Sequence, residues 1–355
     1  WPARRRCSEL FAEARRRREA DRTSHSPRCE KQGVRPPIIT GFMPAAAPVP
    51  HLATGLLLAS AGSIAFSGKA IIVKLAYRYG VDAVTLIMYR MLFALPLFVA
   101  LAWWASRPRN GKTPPPLTRH DWLGVLGLGF TGYYLASFLD FWGLEYISAS
   151  LERLILYLNP TLVLVLGWVI YKRRITAMQG TAMAVSYAGV LLVFGHEAGA
   201  QGPDAALGAL LVFGSAVSYA IYLLYSGELV KRLGSLRLVG LATCVACLLC
   251  LFQFVLLRPL SAAVVAPEVI ALSVLNATLC TFAPVLMVMM AIERIGSGLT
   301  AQTGMIGPMS TIVMGVVILD EPFNGWIVVG TVLVLAGVFL VTRFGTPRVV
   351  DKTGD

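Results

Sequence analysis

The chain carries little charge. Asp, Glu, Lys and Arg make up 14% of its 355 residues, against about 25% in a soluble domain. Histidine is rarer still: His25, His51, His120 and His196 are the whole set, and none lies well inside an apolar stretch. The six cysteines bring no metal pattern. Cys7 and Cys29 lie in a basic amino-terminal stretch. Cys244, Cys247 and Cys250 recur every three residues in one apolar block, with Cys280 in the next and no His or carboxylate beside them. They read as small polarizable packing residues. An Asp-rich motif or an acid–base pair at a membrane surface is missing too, which argues against an enzyme acting on lipid-linked substrates. There is no room for a soluble domain, and so none for one that hydrolyses ATP. Gly62 to Lys69 looks a little like a phosphate-binding loop, but its glycines are one residue too far apart. Ala70 also stands where Ser or Thr would hold magnesium.

What remains is hydrophobic: 56% of residues, with a mean hydropathy of +0.69. The apolar residues come in blocks of about 20, the length a helix needs to cross hydrocarbon. Ten spans are predicted, at 51–73, 82–104, 121–144, 148–171, 176–195, 206–230, 236–257, 266–292, 297–319 and 324–342. Backbone polar groups in lipid must be satisfied internally, so each span reads as a helix.

The pattern occurs twice. Residues 144–193 lie over 292–341 without a gap, at a constant offset of 148. Glu145 falls on Glu293, Leu151 on Leu299, Pro160 on Pro308, Gly167 on Gly315, and Ala188-Gly189-Val190 on Ala336-Gly337-Val338. Ten spans in two copies means five each. An odd number turns the second copy over, so the expected fold is an all-α membrane protein of ten transmembrane helices in two inverted five-helix repeats. The first repeat is assigned to 43–195 and the second to 206–345, with 346–355 as a cytoplasmic tail. Residues 1–42 hold 11 of the 31 basic residues, lack apolar periodicity, and read as a disordered or spurious extension. An Arg-rich sorting peptide is the alternative, although its five acidic residues are unusual for one.

Basic residues cluster on one side: Arg107, Arg109, Lys112, Arg119, Lys172, Arg173, Arg174, Lys231, Arg232, Arg237 and Arg294, with Arg343, Arg348 and Lys352. The other side has little more than Lys74, Arg78 and Arg258. By the positive-inside rule both termini are cytoplasmic.

Polar residues at depth are the candidates for function. Glu152 and Arg153 begin the fourth span. Glu152 shares a helix face with Asn159, and Thr300, Thr303, Gly307 and Ser310 hold the equivalent face of the ninth. The two stripes are expected to line a pocket across the pseudo-axis. The alternative for Glu152 and Arg153 is an ion pair near the interface. Arg90, deep in the second span, is suited to a substrate carboxylate or phosphate, or to a structural pair with Asp140 or Glu152. Lys69 is expected to snorkel from the end of the first span. Tyr134 and Tyr157 add amphipathic surface, and Asn276 and Gln302 supply amides that grip a substrate or join helices. Pro160 and Pro308, at matching places, are expected to kink the fourth and ninth helices and to free carbonyls such as that of Leu156.

Two repeats of five helices, with Gly143-Leu-Glu-Tyr-Ile-Ser-Ala-Ser150 leading into Leu154 to Pro160, resemble the EamA-type permeases of the drug/metabolite transporter superfamily. The resemblance covers about 43–345. Leu151-Glu152-Arg153-Leu154 before Pro160, and Arg90 early in the second span, fit it. The second copy departs from it, with Ala301-Gln302 opposite Arg153-Leu154. The resemblance implies ten helices, cytoplasmic termini and transport of small metabolites, often outward. The expected protein is therefore a secondary transporter, working by alternating access in a bacterial inner membrane on a small-molecule substrate. It has no cofactor and no nucleic-acid partner. Glu152 or Asp140 is placed to carry a coupling proton, and the protein is a monomer or homodimer. A sensor or scaffold that transports nothing is the alternative.

Overall fold

The computed structural model describes residues 52–108, 114–172, 175–201 and 203–344. Side chains are described for these except at 197–201, 228, 296–298, 301–302 and 341–344. The expected extension 1–42 and tail 346–355 lie outside the described residues.

Every regular element among the described residues is helical. The first five spans are α1 Leu52–Tyr77, α2 Ala83–Ala105, α3 Arg119–Gly143, α4 Ala149–Tyr171 and α5 Ala177–Gln201. The second five are α6 Ala205–Leu233, α7 Ser235–Leu257, α8 Pro267–Ile295, α9 Ile306–Leu319 and α10 Gly325–Phe344. Apolar side chains face outward along most of them, among them Leu123, Leu210, Leu256 and Val317. Exposed faces of this kind belong in lipid.

Local chemistry sets the boundaries. Gly80, at φ +75, turns the chain after α1, and Asp82 caps α2 by accepting the amides of Val84 and Thr85. Thr118 and Asp121 form a reciprocal capping box at the start of α3. The Ser148 hydroxyl accepts the Leu151 amide and opens α4.

The offset of 148 seen in the sequence is repeated in backbone detail. A π-helical turn interrupts α3 at Gly129–Leu135 and α8 at Thr278–Phe282. A break divides α4 after Leu156 and precedes Ile306 in α9, with Tyr157 and Met305 at equivalent places. Packing follows the same symmetry. Helix α5 lies on α10, α2 on α7 and α4 on α9. The pair α1·α8 has its counterpart in α6·α3, and α1·α9 in α6·α4. At the α5·α10 crossing, Gly189 meets the Gly330 carbonyl and Val334, while Gly337 meets the Ala182 carbonyl and Ser186. Each contact is the other moved by 148 residues. Only a missing Cβ lets the two backbones come this close. The fold is thus two inverted five-helix repeats, as expected.

Two expectations need correction. The eighth and ninth spans are not separated at 292–297. Helical hydrogen bonding continues from Ala283 to Gly304, although the chain reverses within it: Ile295 packs at Gly55, whereas Gly304 lies beside Ser63. The first repeat stops its helix here because Ser148 supplies a cap. The matching residue is Gly296, which has no hydroxyl. The prolines, likewise, stand just after a break and not inside a continuous helix. Pro160 sits in the first turn of Asn159–Tyr171, and the Leu156 carbonyl that its missing N–H leaves free, as expected, accepts the Asn159 side-chain amide. Pro308 holds the corresponding place in α9.

Candidate functional site

The buried charges of α1, α3 and α4 converge. Lys69 lies eight residues before the end of α1 and is 6% exposed. Its ammonium donates to Asp140 Oδ2 on α3 and lies 3.2 Å from Glu152 Oε1 on α4. Asp140 is 2% exposed and Glu152 fully buried. Lys69 therefore does not snorkel. It is the cation that the two carboxylates share. Removing it leaves both buried carboxylates without a counter-charge, at a cost of about 3–5 kcal/mol.

Arg153, next to Glu152 on the same turn, points to the other repeat. Its Nη2 donates to Ser67 Oγ at 2.8 Å, and Ser67 Oγ lies 2.9 Å from the Gly307 carbonyl oxygen, which accepts from it. The guanidinium sits between the rings of Phe66 at 5.1 Å and Tyr157 at 5.7 Å. Tyr157 in turn donates to the Gly304 carbonyl at 2.5 Å. So the start of α4 and the α8–α9 reversal face each other across the pseudo-axis. Glu152 and Arg153 do not pair with each other near the interface. One turns to Lys69 and the other to Ser67.

Arg90 is buried, but neither Asp140 nor Glu152 is its partner. Its Nε donates to Thr281 Oγ1 at 3.0 Å, in the π-helical turn of α8, and its guanidinium lies 5.1 Å from the Phe141 ring centre. Lys69 has taken the carboxylates that Arg90 was expected to find. The π-helical turn explains the Thr281 contact, since its extra residue per turn rotates the hydroxyl, which also donates to the Asn276 carbonyl.

The remaining candidates divide. Asn159 donates to the Leu156 carbonyl at 2.7 Å, the group that the proline was expected to free. The helix break removes it from a continuous face with Glu152. Asn276 is fully buried on α8, and neither of its side-chain amide atoms has a hydrogen-bond partner. Thr300 is buried at the α8–α9 reversal. Thr303 is turned to its own helix, donating to Leu299. Tyr134 is half-buried and lies against Phe130 with the rings tilted, 5.4 Å between ring centres. The side chain of Gln302 lies outside those described.

Lys69 thus joins the two carboxylates, while Arg90 and Arg153 are buried and bonded to Thr281 and Ser67. Several buried atoms of these helices have no hydrogen-bond partner: Arg90 Nη1, Arg153 Nε, Asp140 Oδ1, Glu152 Oε2 and Asn159 Oδ1. Buried polar atoms are nearly always paired, so unpartnered donors and acceptors of both signs among these helices are suited to a polar ligand. Sequence reasoning left Lys69, Ser67 and Phe66 out of the site. One signal for Lys69 was available: two carboxylates at depth need a cation within reach, and α1 holds one.

The ends of the repeats are also tied. At one end, Arg258 bonds Asp82, with Nη2 at 3.0 Å and Nε at 3.1 Å, and Arg78 donates to the Leu319 carbonyl at 2.9 Å. Glu321 accepts from the Ala149 amide and the Ser150 hydroxyl, each at 2.7 Å. At the other end, Arg237 donates to Ser106 and to the Pro115 carbonyl, and Arg232 pairs with Asp121 at 3.0 Å.

Comparison with known proteins agrees with this architecture. The profile of the EamA-like transporter family matches twice, at residues 53–195 and 206–343. The uncharacterized transporter YcbK of Bacillus subtilis (strain 168) is 29% identical over 298 residues, covering 81% of this chain and 91% of that protein. An uncharacterized transporter of Archaeoglobus fulgidus is 23% identical over 296 residues, covering 81% and 97%. A crystal structure with 16% identity superposes with a TM-score of 0.57 over 82% of this chain and 97% of the other, a likeness of fold.

Proposed function

Because this chain belongs to the EamA-like transporter family, we propose that it is a secondary transporter that moves a small polar or amphipathic metabolite by alternating access between its two repeats. The observation that carries this reading is the Lys69–Asp140–Glu152 group, lying beside orphaned donors of Arg90 and Arg153 where the repeats meet. Charges at membrane depth are costly and are retained where they face a path or a ligand. Inverted repeats hold their substrate between the halves, and rocking exposes it to each side in turn. The links at both ends are those that rocking must break and remake.

The basic loops support both termini in the cytoplasm, the short loops fit a bacterial inner membrane, and export is the direction that the family reading favours. The protein acts as a monomer or homodimer and needs no cofactor. A proton is the coupling ion that two carboxylates on one ammonium suit best, since protonating either one changes how the group holds Lys69.

Two measurements test this. A thermal-shift screen of the purified protein against amino acids, nucleosides, vitamins, sugars, organic acids and amphipathic cations identifies the ligand class. At about 100 times its dissociation constant, a ligand adds roughly 2.7 kcal/mol of stability. Flux of that ligand in proteoliposomes then follows. Glu152→Gln is expected to abolish flux while the protein stays folded. Wild-type flux from a folded Glu152→Gln protein counts against the site. A ligand that binds but never crosses favours a sensor.

A further inference from the structure

The Asp140 and Glu152 carboxylates come from two helices and meet on one cation, and that cation belongs to the protein. All three groups are at least nine-tenths buried. The ammonium also lies 5.7 Å from the centre of the Phe66 ring. Each carboxylate keeps an oxygen with no hydrogen-bond partner, Asp140 Oδ1 and Glu152 Oε2. Converging carboxylate oxygens with spare lone pairs are the donor set that a hard metal cation takes. The charge set is present once: the offset puts Val217, Val288 and Thr300 at the positions equivalent to Lys69, Asp140 and Glu152.

We propose that Asp140 and Glu152 form a site of the alkali-cation class, which the Lys69 ammonium occupies as a tethered substitute for the ion. The proposal rests on the transporter reading and deepens it. A transporter that carries its own cation at this point has no need of sodium or potassium there. The physical basis is charge and size. An ammonium is a compact, strongly hydrated point charge, comparable to an alkali ion. A side chain tethered at its Cα forgoes the translational entropy that a free ion loses on binding.

The test is ion binding by the purified full chain in lipid nanodiscs. Unfolding temperatures of the wild type, Lys69→Met and Lys69→Met/Asp140→Asn are compared in lithium, sodium, potassium and choline chloride at equal ionic strength. The wild type is expected to unfold at the same temperature in every salt. Lys69→Met is expected to show a saturable rise with one alkali cation, lost in the double variant. Lys69→Arg, which keeps the charge without the compact head, is expected to stay indifferent to the salt but to unfold at a lower temperature. If Lys69→Met is recovered poorly, its folded yield becomes the readout, and rescue by an alkali chloride over choline supports the proposal. Equal loss in all salts overturns it. So does a folded Lys69→Met indifferent to every alkali cation, or a wild type that itself depends on one. None of these readings uses substrate or flux. A failure of the transporter reading is seen instead in the flux assay, so the two failures are told apart.

Discussion

Lys172 and Asp320 stand 148 residues apart and end equivalent helices in the same left-handed conformation, at φ 53° and 60°. Each donates its amide to the carbonyl of the matching glycine, Gly167 or Gly315. They are the only non-glycine residues with positive φ among those described. A backbone detail this uncommon, kept at both copies, ties the inverted repeat to geometry as well as to residue identity. It also has a measurable consequence. A β-branched side chain is disfavoured in this conformation by about 1–2 kcal/mol. Asp320→Val and Lys172→Val are each expected to lower stability by about that much, and Asp320→Gly to be close to neutral, in thermal unfolding of the purified protein.

Glu321 reaches from the α9–α10 corner to the start of α4. It accepts the Ala149 amide and the Ser150 hydroxyl, and the positive end of a helix favours a carboxylate there. Its room comes from Gly315, where an added Cβ would lie 2.7 Å from Glu321 Oε2. The offset places Arg173 at the equivalent position, so the first repeat has no carboxylate with which to make the matching link. Glu321→Ala should cost about 1–3 kcal/mol through the donors it abandons. Hydrogen exchange should quicken at Ala149 to Leu156 ahead of the rest of the chain. Uniform protection across the two proteins would refute a role for this link in closing that end.

Arg153 does more than supply charge. Its planar group lies between Phe66 and Tyr157 and reaches Ser67, geometry that an ammonium does not reproduce. Arg153→Lys is therefore expected to weaken binding of the ligand found in the screen by tenfold or more, with the fold intact. Unchanged affinity would mean that charge alone matters at this position.

Asp82 lies between the first two spans and pairs with Arg258. Partial burial pushes its carboxyl up, but hydrogen bonds from the Thr85 hydroxyl and amide, with the Arg258 guanidinium, outweigh burial and hold it below the usual aspartate range. A lowered folded value means that the stabilisation is present above the unfolded pKa and is lost as pH falls through the folded one. Wild type should thus lose this contribution only in acid, below about pH 4, and Asp82→Asn should show no such component. The pair is partly exposed, so the effect should be under about 1 kcal/mol. It should also shrink with added salt. Unfolding followed between pH 3 and 7 at two ionic strengths checks this.

Much of this molecule was legible before its structure. Apolar blocks of span length can only be helices where no water is present to satisfy the backbone, so composition alone set the class. The offset of 148 carried the repeat, and the odd number of spans carried its inversion. Glu152 and Arg153 stand out as charges inside an apolar span, whereas the face that helical spacing gives to Glu152 and Asn159 is interrupted by the break after Leu156. What spacing does not contain is the neighbour that each side chain meets. Position alone makes Lys69 a snorkelling end residue and leaves Arg90 to a substrate anion or to Asp140 or Glu152, because their partners come from other helices. The tertiary structure decides the pairing: packing α1 against α3 and α4 brings Lys69 to Asp140 and Glu152, and the π-helical turn in α8 presents Thr281 to Arg90. The sequence determined which residues lie at depth, because the bilayer acts on each span separately. Only the packed helices decided how those residues pair, because a buried charge takes whichever opposite group the packing brings closest.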